Sequence, residues 1–166
     1  MPKRSRVLVV DDDRDVLDAL ADMIPEGVLA LKADNVFDAL QIIQTQSLDA
    51  VLLDISLGQS NGLALLAKLR SKHISVPIVM MSGNATKENA LTALHLGAHD
   101  LIEKPIRQDY FDRQLPKVIA AGQGRRHIKS ELESVTALIG DAAPGELDFV
   151  KDYLSLLEAR RAFKAG

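Results

Sequence analysis

Apolar residues along the chain alternate between two rhythms. Runs of consecutive apolar residues occur at Val7-Leu8-Val9-Val10, Ala50-Val51-Leu52-Leu53 and Val76-Pro77-Ile78-Val79-Met80-Met81. A weaker run is Val28-Leu29-Ala30-Leu31, and another extends from Ala98 to Glu103, closed by Lys104-Pro105. Such runs suit strands covered on both faces. Between them apolar residues recur at three- and four-residue spacing: Val16, Leu17, Leu20 and Ile24; Val36, Ala39, Leu40 and Ile43; Leu63, Leu66 and Leu69; Leu91, Leu94 and Ala98. That spacing predicts amphipathic helices. Strands alternating with helices argue for an α/β fold with a parallel sheet wound on both sides, five strands and five helices within about 120 residues.

The fifth helix is the least regular. It is expected to begin near Gln108, but Pro116 falls inside it and should kink or split it. Gly122-Gln123-Gly124 reads as punctuation, which places a first domain at 1–122 and a helical extension at 123–166. In the extension, Ile128, Leu132, Val135 and Ile139 form one helical stripe. Gly140 and Pro144-Gly145 break it, and Leu147, Val150, Leu154 and Leu157 form a second, ending in Arg160, Arg161 and Lys164. This pattern predicts a helical hairpin, or two docking helices, serving dimerisation or linkage to an effector.

Composition narrows the classes. The chain is 47% hydrophobic and 26% charged, enough apolar content for a core, but only 4% is aromatic. Aliphatic side chains must therefore fill the interior. A net charge of -3 gives no general attraction to nucleic acid, and the sequence contains no helix-turn-helix pattern. The absence of cysteine excludes disulfides and thiolate metal sites. No segment approaches the roughly 20 apolar residues of a membrane span, and the run after the basic start is too short for a signal peptide. A cytoplasmic protein is expected.

The polar residues that end the apolar runs carry the chemistry. Ligands of parallel α/β sheets bind at the carboxyl ends of the strands. There the first strand delivers Asp11 and Asp12, the third Asp54, the fourth Ser82 and the fifth Lys104. Three carboxylates and one ammonium leave two negative charges, which one divalent cation cancels. Mg2+ suits the site because it is hard, takes oxygen ligands and pairs carboxylates with phosphate oxygens. Phosphoryl transfer fits the set, since it is catalysed by positioning and electrostatic stabilisation. Asp54 is the expected nucleophile, with Lys104 and the Ser82 hydroxyl on phosphoryl oxygens.

These residues lie in stretches that resemble the receiver domain of two-component response regulators. They are Val7–Asp13, Leu52–Leu57, Asn61-Gly62, Met81-Ser82-Gly83, and Gly97-Ala98 through Glu103-Lys104-Pro105, covering roughly residues 5–120. The resemblance implies a flavodoxin-like sheet of order 2-1-3-4-5. It implies Mg2+ on Asp11, Asp12, Asp54 and the backbone carbonyl of Ser56. It further implies phosphorylation of Asp54, phosphate reading by Ser82 and Lys104, and a cis Lys104–Pro105 bond. The partner would be a sensor histidine kinase or a phosphotransfer protein, and output would pass through a switched protein surface. A homodimer through helices four and five, or through the C-terminal helices, fits that role. A fainter likeness, on residues 63–66, 97–105 and Leu138-Ile139-Gly140, is to receivers of nitrogen-control AAA+ regulators.

Three positions depart from the family pattern. Leu101 stands where an aromatic switch residue is usual, which shifts signal output to the backbone near Ser82 and the fourth helix. Leu57-Gly58 replaces Met-Pro after the acceptor, so a looser loop is expected, and Ile106 replaces a common Phe.

Other residues read more simply. Asp13 suits a helix N-cap, and Asn84 suits a loop turn as well as it suits orienting a water. His73, His95, His99 and His127 lack metal-ligand spacing. A haloacid-dehalogenase-type phosphatase would use Asp11-x-Asp13, yet Asp15 stands where that motif needs Thr. A receiver-shaped interaction module that is never phosphorylated, and a fragment of a larger transcription regulator, are the remaining alternatives.

Overall fold

The computed structural model describes residues 4–139. In chain order the elements are β1 (Ser5–Val10), α1 (Arg14–Met23), β2 (Val28–Ala33), α2 (Val36–Thr45) and β3 (Ala50–Asp54). There follow the two-residue strands β4 (Ser56–Leu57) and β5 (Ser60–Asn61), then α3 (Gly62–Ser71), β6 (Ile78–Ser82), α4 (Lys87–His95) and β7 (Asp100–Glu103). The last described elements are α5 (Gln108–Arg113) and α6 (Leu115–Ile139).

Five strands form one parallel sheet in the order β2-β1-β3-β6-β7. With the short β4–β5 ribbon set aside, this is the expected order 2-1-3-4-5. Every residue of β3 and β6 is buried, as are Val7 to Val10 of β1. Alternation along each strand sends side chains to two cores. Leu8, Val10, Val51, Leu53, Ile78 and Met80 meet Ala39 of α2, Leu66 of α3 and Ala93 of α4. Val7, Val9, Ala50, Leu52, Val79 and Met81 meet Leu17 of α1, Phe111 of α5 and Leu115 of α6. The two helical layers explain why these strands read as unbroken apolar runs.

Two expectations need correction. The loop after Asp54 is not loose: Ser56 and Leu57 pair antiparallel with Asn61 and Ser60, and Leu57 is buried. Nor does the punctuation at Gly122 and Gly124 interrupt the helix: α6, 25 residues long, runs through both of them. A Cβ on Gly122 would lie 1.9 Å from the Asp49 carbonyl oxygen, so glycine there lets the helix pass against the start of β3. Pro116 does mark a break. The chain leaves α5 at Gln114 and re-enters a helix with Pro116 as its second residue. Proline costs little in a first turn, where backbone N–H groups have no helical partner. The chain falls into two units, 1–123 and 124–166, and the second is described only to Ile139. The stripe of Leu147, Val150, Leu154 and Leu157, its flanking breaks and the basic run after it lie outside the described residues.

Helix α3 ends in a Schellman turn with His73 at φ 57, a left-handed conformation that favours glycine. The His73 amide donates to the Arg70 carbonyl and the Ile74 amide to the Leu69 carbonyl. His73→Gly is expected to raise the unfolding free energy by about 0.5–1 kcal/mol in urea titration, since relief of the Cβ clash outweighs added freedom of the unfolded chain. A less stable variant would show that the imidazole makes a contact worth more than that relief.

Candidate functional site

The carboxyl ends of the parallel strands converge on one acidic pocket. Asp11 follows β1, Asp54 ends β3, Ser82 ends β6 and Lys104 follows β7. Ladder bonds continue past the strand ends and set their relative heights. The Ile55 amide donates to the Met81 carbonyl at 2.9 Å and the Lys104 amide to the Ser82 carbonyl at 2.8 Å. The Lys104–Pro105 peptide bond is cis.

One carboxylate oxygen from each of Asp11, Asp12 and Asp54 lies within 4.8 Å of the others. The Lys104 Nζ donates to Asp11 Oδ2 at 2.5 Å and to Asp54 Oδ2 at 2.7 Å. Asp11 is 1% and Asp54 5% exposed, while Asp12 is exposed. The remaining oxygens of the buried pair accept backbone amides, Asp11 Oδ1 from Asp13 and Asp54 Oδ1 from Ser56. Lys104 therefore satisfies both buried carboxylates and holds them side by side.

The charges are unbalanced in the expected direction. Burial pushes the Asp11 carboxyl above its ordinary range. Hydrogen bonds from Lys104 and the Asp13 amide, with the ammonium charge, pull it back only in part, and the Asp54 charge adds to the rise. At Lys104 burial opposes the ammonium, but the bonds to Asp11 and Asp54 outweigh it and raise its pKa. An all-oxygen, acid-rich cluster with one ammonium fits a hard divalent cation such as Mg2+.

Neighbouring residues shape the pocket without joining the cluster. Asp13 caps α1, its Oδ1 accepting from the Asp15 and Val16 amides. This turns its carboxylate to its own helix and leaves no Asp11–Asp13 pair of the dehalogenase kind. Ser82 is buried and its Oγ accepts the Asn84 amide at 3.1 Å. Asn84 in turn accepts the Thr86 amide on its carbonyl, so it serves a turn. Leu101 is partly buried on the α4 side of the sheet, and Ile106 is buried on the opposite side. His73, His95, His99 and His127 are exposed, and His127 pairs with Glu131 at 3.0 Å.

One site feature was not anticipated from residue type. A Cβ at position 62 would lie 2.0 Å from the Asp54 carbonyl oxygen, so Gly62 lets α3 begin directly against the Asp54 backbone. Asn61 caps that helix by accepting the Leu63 amide. The dipeptide Asn61-Gly62 was the available signal, and its two jobs are now distinct.

Comparison with known proteins agrees with the fold. The family model of the response regulator receiver domain matches residues 7–115. A putative response regulator NtrX-like protein of Rickettsia bellii is 32% identical over 142 residues, covering 82% of this chain and 30% of that protein. The alignment is longer than the family match. Among solved structures, NtrX from Brucella abortus is 32% identical with a TM-score of 0.68, covering 76% of this chain and 30% of that one. A CheY-like receiver domain protein from Methanospirillum hungatei is 26% identical with a TM-score of 0.68, covering 74% of this chain and 99% of that one. The chain thus spans under a third of the length of the NtrX-type relatives.

Proposed function

The chain belongs to the response regulator receiver domain family, and from that premise we propose that it accepts a phosphoryl group on Asp54 from a phosphohistidine of a sensor histidine kinase or phosphotransfer protein. The observation that carries this reading is the pairing of buried Asp11 and Asp54 through one lysine, beside a third carboxylate. In the transfer, an Asp54 oxygen attacks phosphorus, the phosphorus–nitrogen bond breaks, and its electron pair leaves with the imidazole. The transition state spreads charge over three phosphoryl oxygens. Lys104 meets one of these and the Ser82 hydroxyl donates to another. Asp11, Asp12, Asp54 and the Ser56 carbonyl would hold Mg2+, which neutralises charge on the third when bound. The chain catalyses only this self-directed transfer and the slow hydrolysis of its product.

Phosphorylation takes the Asp54 side chain from −1 to about −2. Ser82 and Lys104 follow the new oxygens and bias the surface around α4 and α5. Leu101 offers no aromatic ring to flip, so backbone movement at Ser82 carries the signal. On α4, Leu91 and Leu94 are exposed, 47% and 55%, as suits a face that meets another protein or a second copy. The segment from 124 onward, which follows this region in the chain, changes on activation by dimerising or releasing a partner. No helix among the described residues is long and apolar enough to cross a membrane, which is compatible with a cytoplasmic site of action.

Incubation with acetyl phosphate and Mg2+, read by intact mass, tests the function directly. One added phosphoryl group that disappears when a chelator is present is the expected outcome. No adduct under any donor, or an adduct indifferent to chelator, would contradict it.

Proton competition gives a second test. The folded pKa of Asp11 lies above its unfolded value, so the ionised group costs stability at neutral pH, and that cost disappears as pH falls through the folded pKa. A bound cation removes the same cost at neutral pH. Mg2+ at a hundred times its dissociation constant should add about 2.7 kcal/mol at neutral pH. The gain should shrink toward zero as pH falls into the carboxylate range. Melting temperatures with and without Mg2+ across pH check this, and an increment independent of pH would count against a carboxylate site.

A further inference from the structure

We propose that Arg70 is a hinge clamp for α4: it fixes the C-terminal end of that helix, so that a phosphoryl group on Asp54 swings the N-terminal end. This rests on the reading of Asp54 given above.

The clamp is built from three backbone carbonyls in two loops. Arg70 lies in the last turn of α3. Its Nε donates to the Gly97 carbonyl at 3.1 Å and its Nη2 to the Val76 carbonyl at 3.0 Å, while Nη1 donates to the Ile74 carbonyl. Ile74 and Val76 belong to the connection into β6, and Gly97 follows α4. A guanidinium presents its donors in a rigid planar fork, which is what three acceptors at fixed positions require. The same cation sits at the C-termini of two helices, where their dipoles favour positive charge.

The end of α4 is itself closed tightly. The Gly97 amide donates to the Leu94 carbonyl and the Ala98 amide to the Ala93 carbonyl, the two bonds of a Schellman turn. Gly97 has φ 84, and a Cβ there would lie 3.3 Å from Arg70 Nε. Turn and arginine are therefore packed against each other. Ala93, two residues before the helix ends, is its one buried residue and sits in the α2–α3–α4 core. Packing, turn bonds and the arginine all hold the same end.

The opposite end is tied to the reactive site. The Asn84 amide is held by Ser82 Oγ, the hydroxyl assigned to the phosphoryl group. Thr86 then caps the helix through the Asn89 amide. When Ser82 turns to a phosphoryl oxygen, this loop is the part of α4's anchorage that must follow. A helix pinned at one end and pulled at the other pivots.

Amide hydrogen exchange on the full chain, with and without beryllofluoride and Mg2+ as the phosphoryl probe, tests the hinge. In the wild type, amides of residues 83–90 should change exchange rate by about tenfold or more, and those of Leu96, Gly97 and Ala98 by less than about twofold. In Arg70→Lys and Arg70→Gln, residues 96–98 should exchange faster at rest and respond to the probe as 83–90 do. Lysine keeps the charge but not the fork, so a wild-type pattern in Arg70→Lys would overturn the clamp. A wild-type response spread evenly along α4, or larger at 96–98, would overturn the hinge even if neither variant folds. No wild-type response anywhere would overturn the Asp54 reading itself, and the hinge with it.

Discussion

Asp54→Asn is expected to remove nearly all uptake of a phosphoryl group from acetyl phosphate. Asparagine matches the shape of the carboxylate and can still accept the Ser56 amide on Oδ1, a bond of 3.1 Å in the native chain. What it loses is the anionic oxygen proposed to attack phosphorus. The rate should fall by at least about a thousandfold, since removing a nucleophile alone has cost as much as roughly a millionfold elsewhere. Folding should survive, because the substitution lowers repulsion in a cluster that holds three carboxylates within 4.8 Å. Intact mass and urea unfolding of the same preparation separate the two effects. Undiminished uptake in the variant would move the acceptor elsewhere. Loss on Asp11→Asn together with retention on Asp54→Asn would favour a phosphatase that uses the first strand.

Lys104→Ala should cause the largest loss of stability. It leaves the buried carboxylates of Asp11 and Asp54 facing each other without their shared ammonium. Removing one partner of a buried ion pair costs about 3–5 kcal/mol; the lysine side chain is 22% exposed, so a loss of about 3 kcal/mol without divalent ions is expected. Mg2+ should restore part of it by supplying charge to the same oxygens. The pH dependence has a definite sign. The folded pKa of Lys104 lies above its unfolded value, so its stabilisation is complete below the unfolded pKa of 10.5 and is lost as pH rises through the folded one. The wild type should therefore weaken in strong alkali by more than the variant does. Equal midpoints for the two proteins at neutral pH, measured in urea without Mg2+, would show that water or another residue already compensates the pair.

The chemistry of the pocket was legible because of how parallel sheets are built. Strands buried on both faces read as continuous apolar runs, and the first polar residue after each run marks the strand end. Asp11, Asp54 and Ser82 declared themselves in that way; Lys104 did not, because Glu103 precedes it and β7 is not buried on both faces, so it stood out only beside the other three. Strand order did not follow from periodicity, which carries no information on which strand pairs with which, and it came from the family resemblance. The ribbon at Ser56–Leu57 and Ser60–Asn61 was invisible, since two-residue strands have no period. The close approach at Gly122 was missed because glycine has two uses that look alike in sequence: it punctuates a chain, and it lets helices approach backbone closely. Only the Asp49 carbonyl, 73 positions earlier in the chain, decides between them. Arg70 was silent for a related reason. Its partners are main-chain carbonyls, one of them 27 residues away, and any residue type can supply a carbonyl.

The most direct check on the pocket is to phosphorylate the wild-type protein with acetyl phosphate and Mg2+, digest it, and locate the added group by peptide mass mapping. A single phosphoryl group on Asp54 is the result expected from the paired carboxylates and their lysine. A group on any other residue, or none while the fold remains intact, would contradict the account.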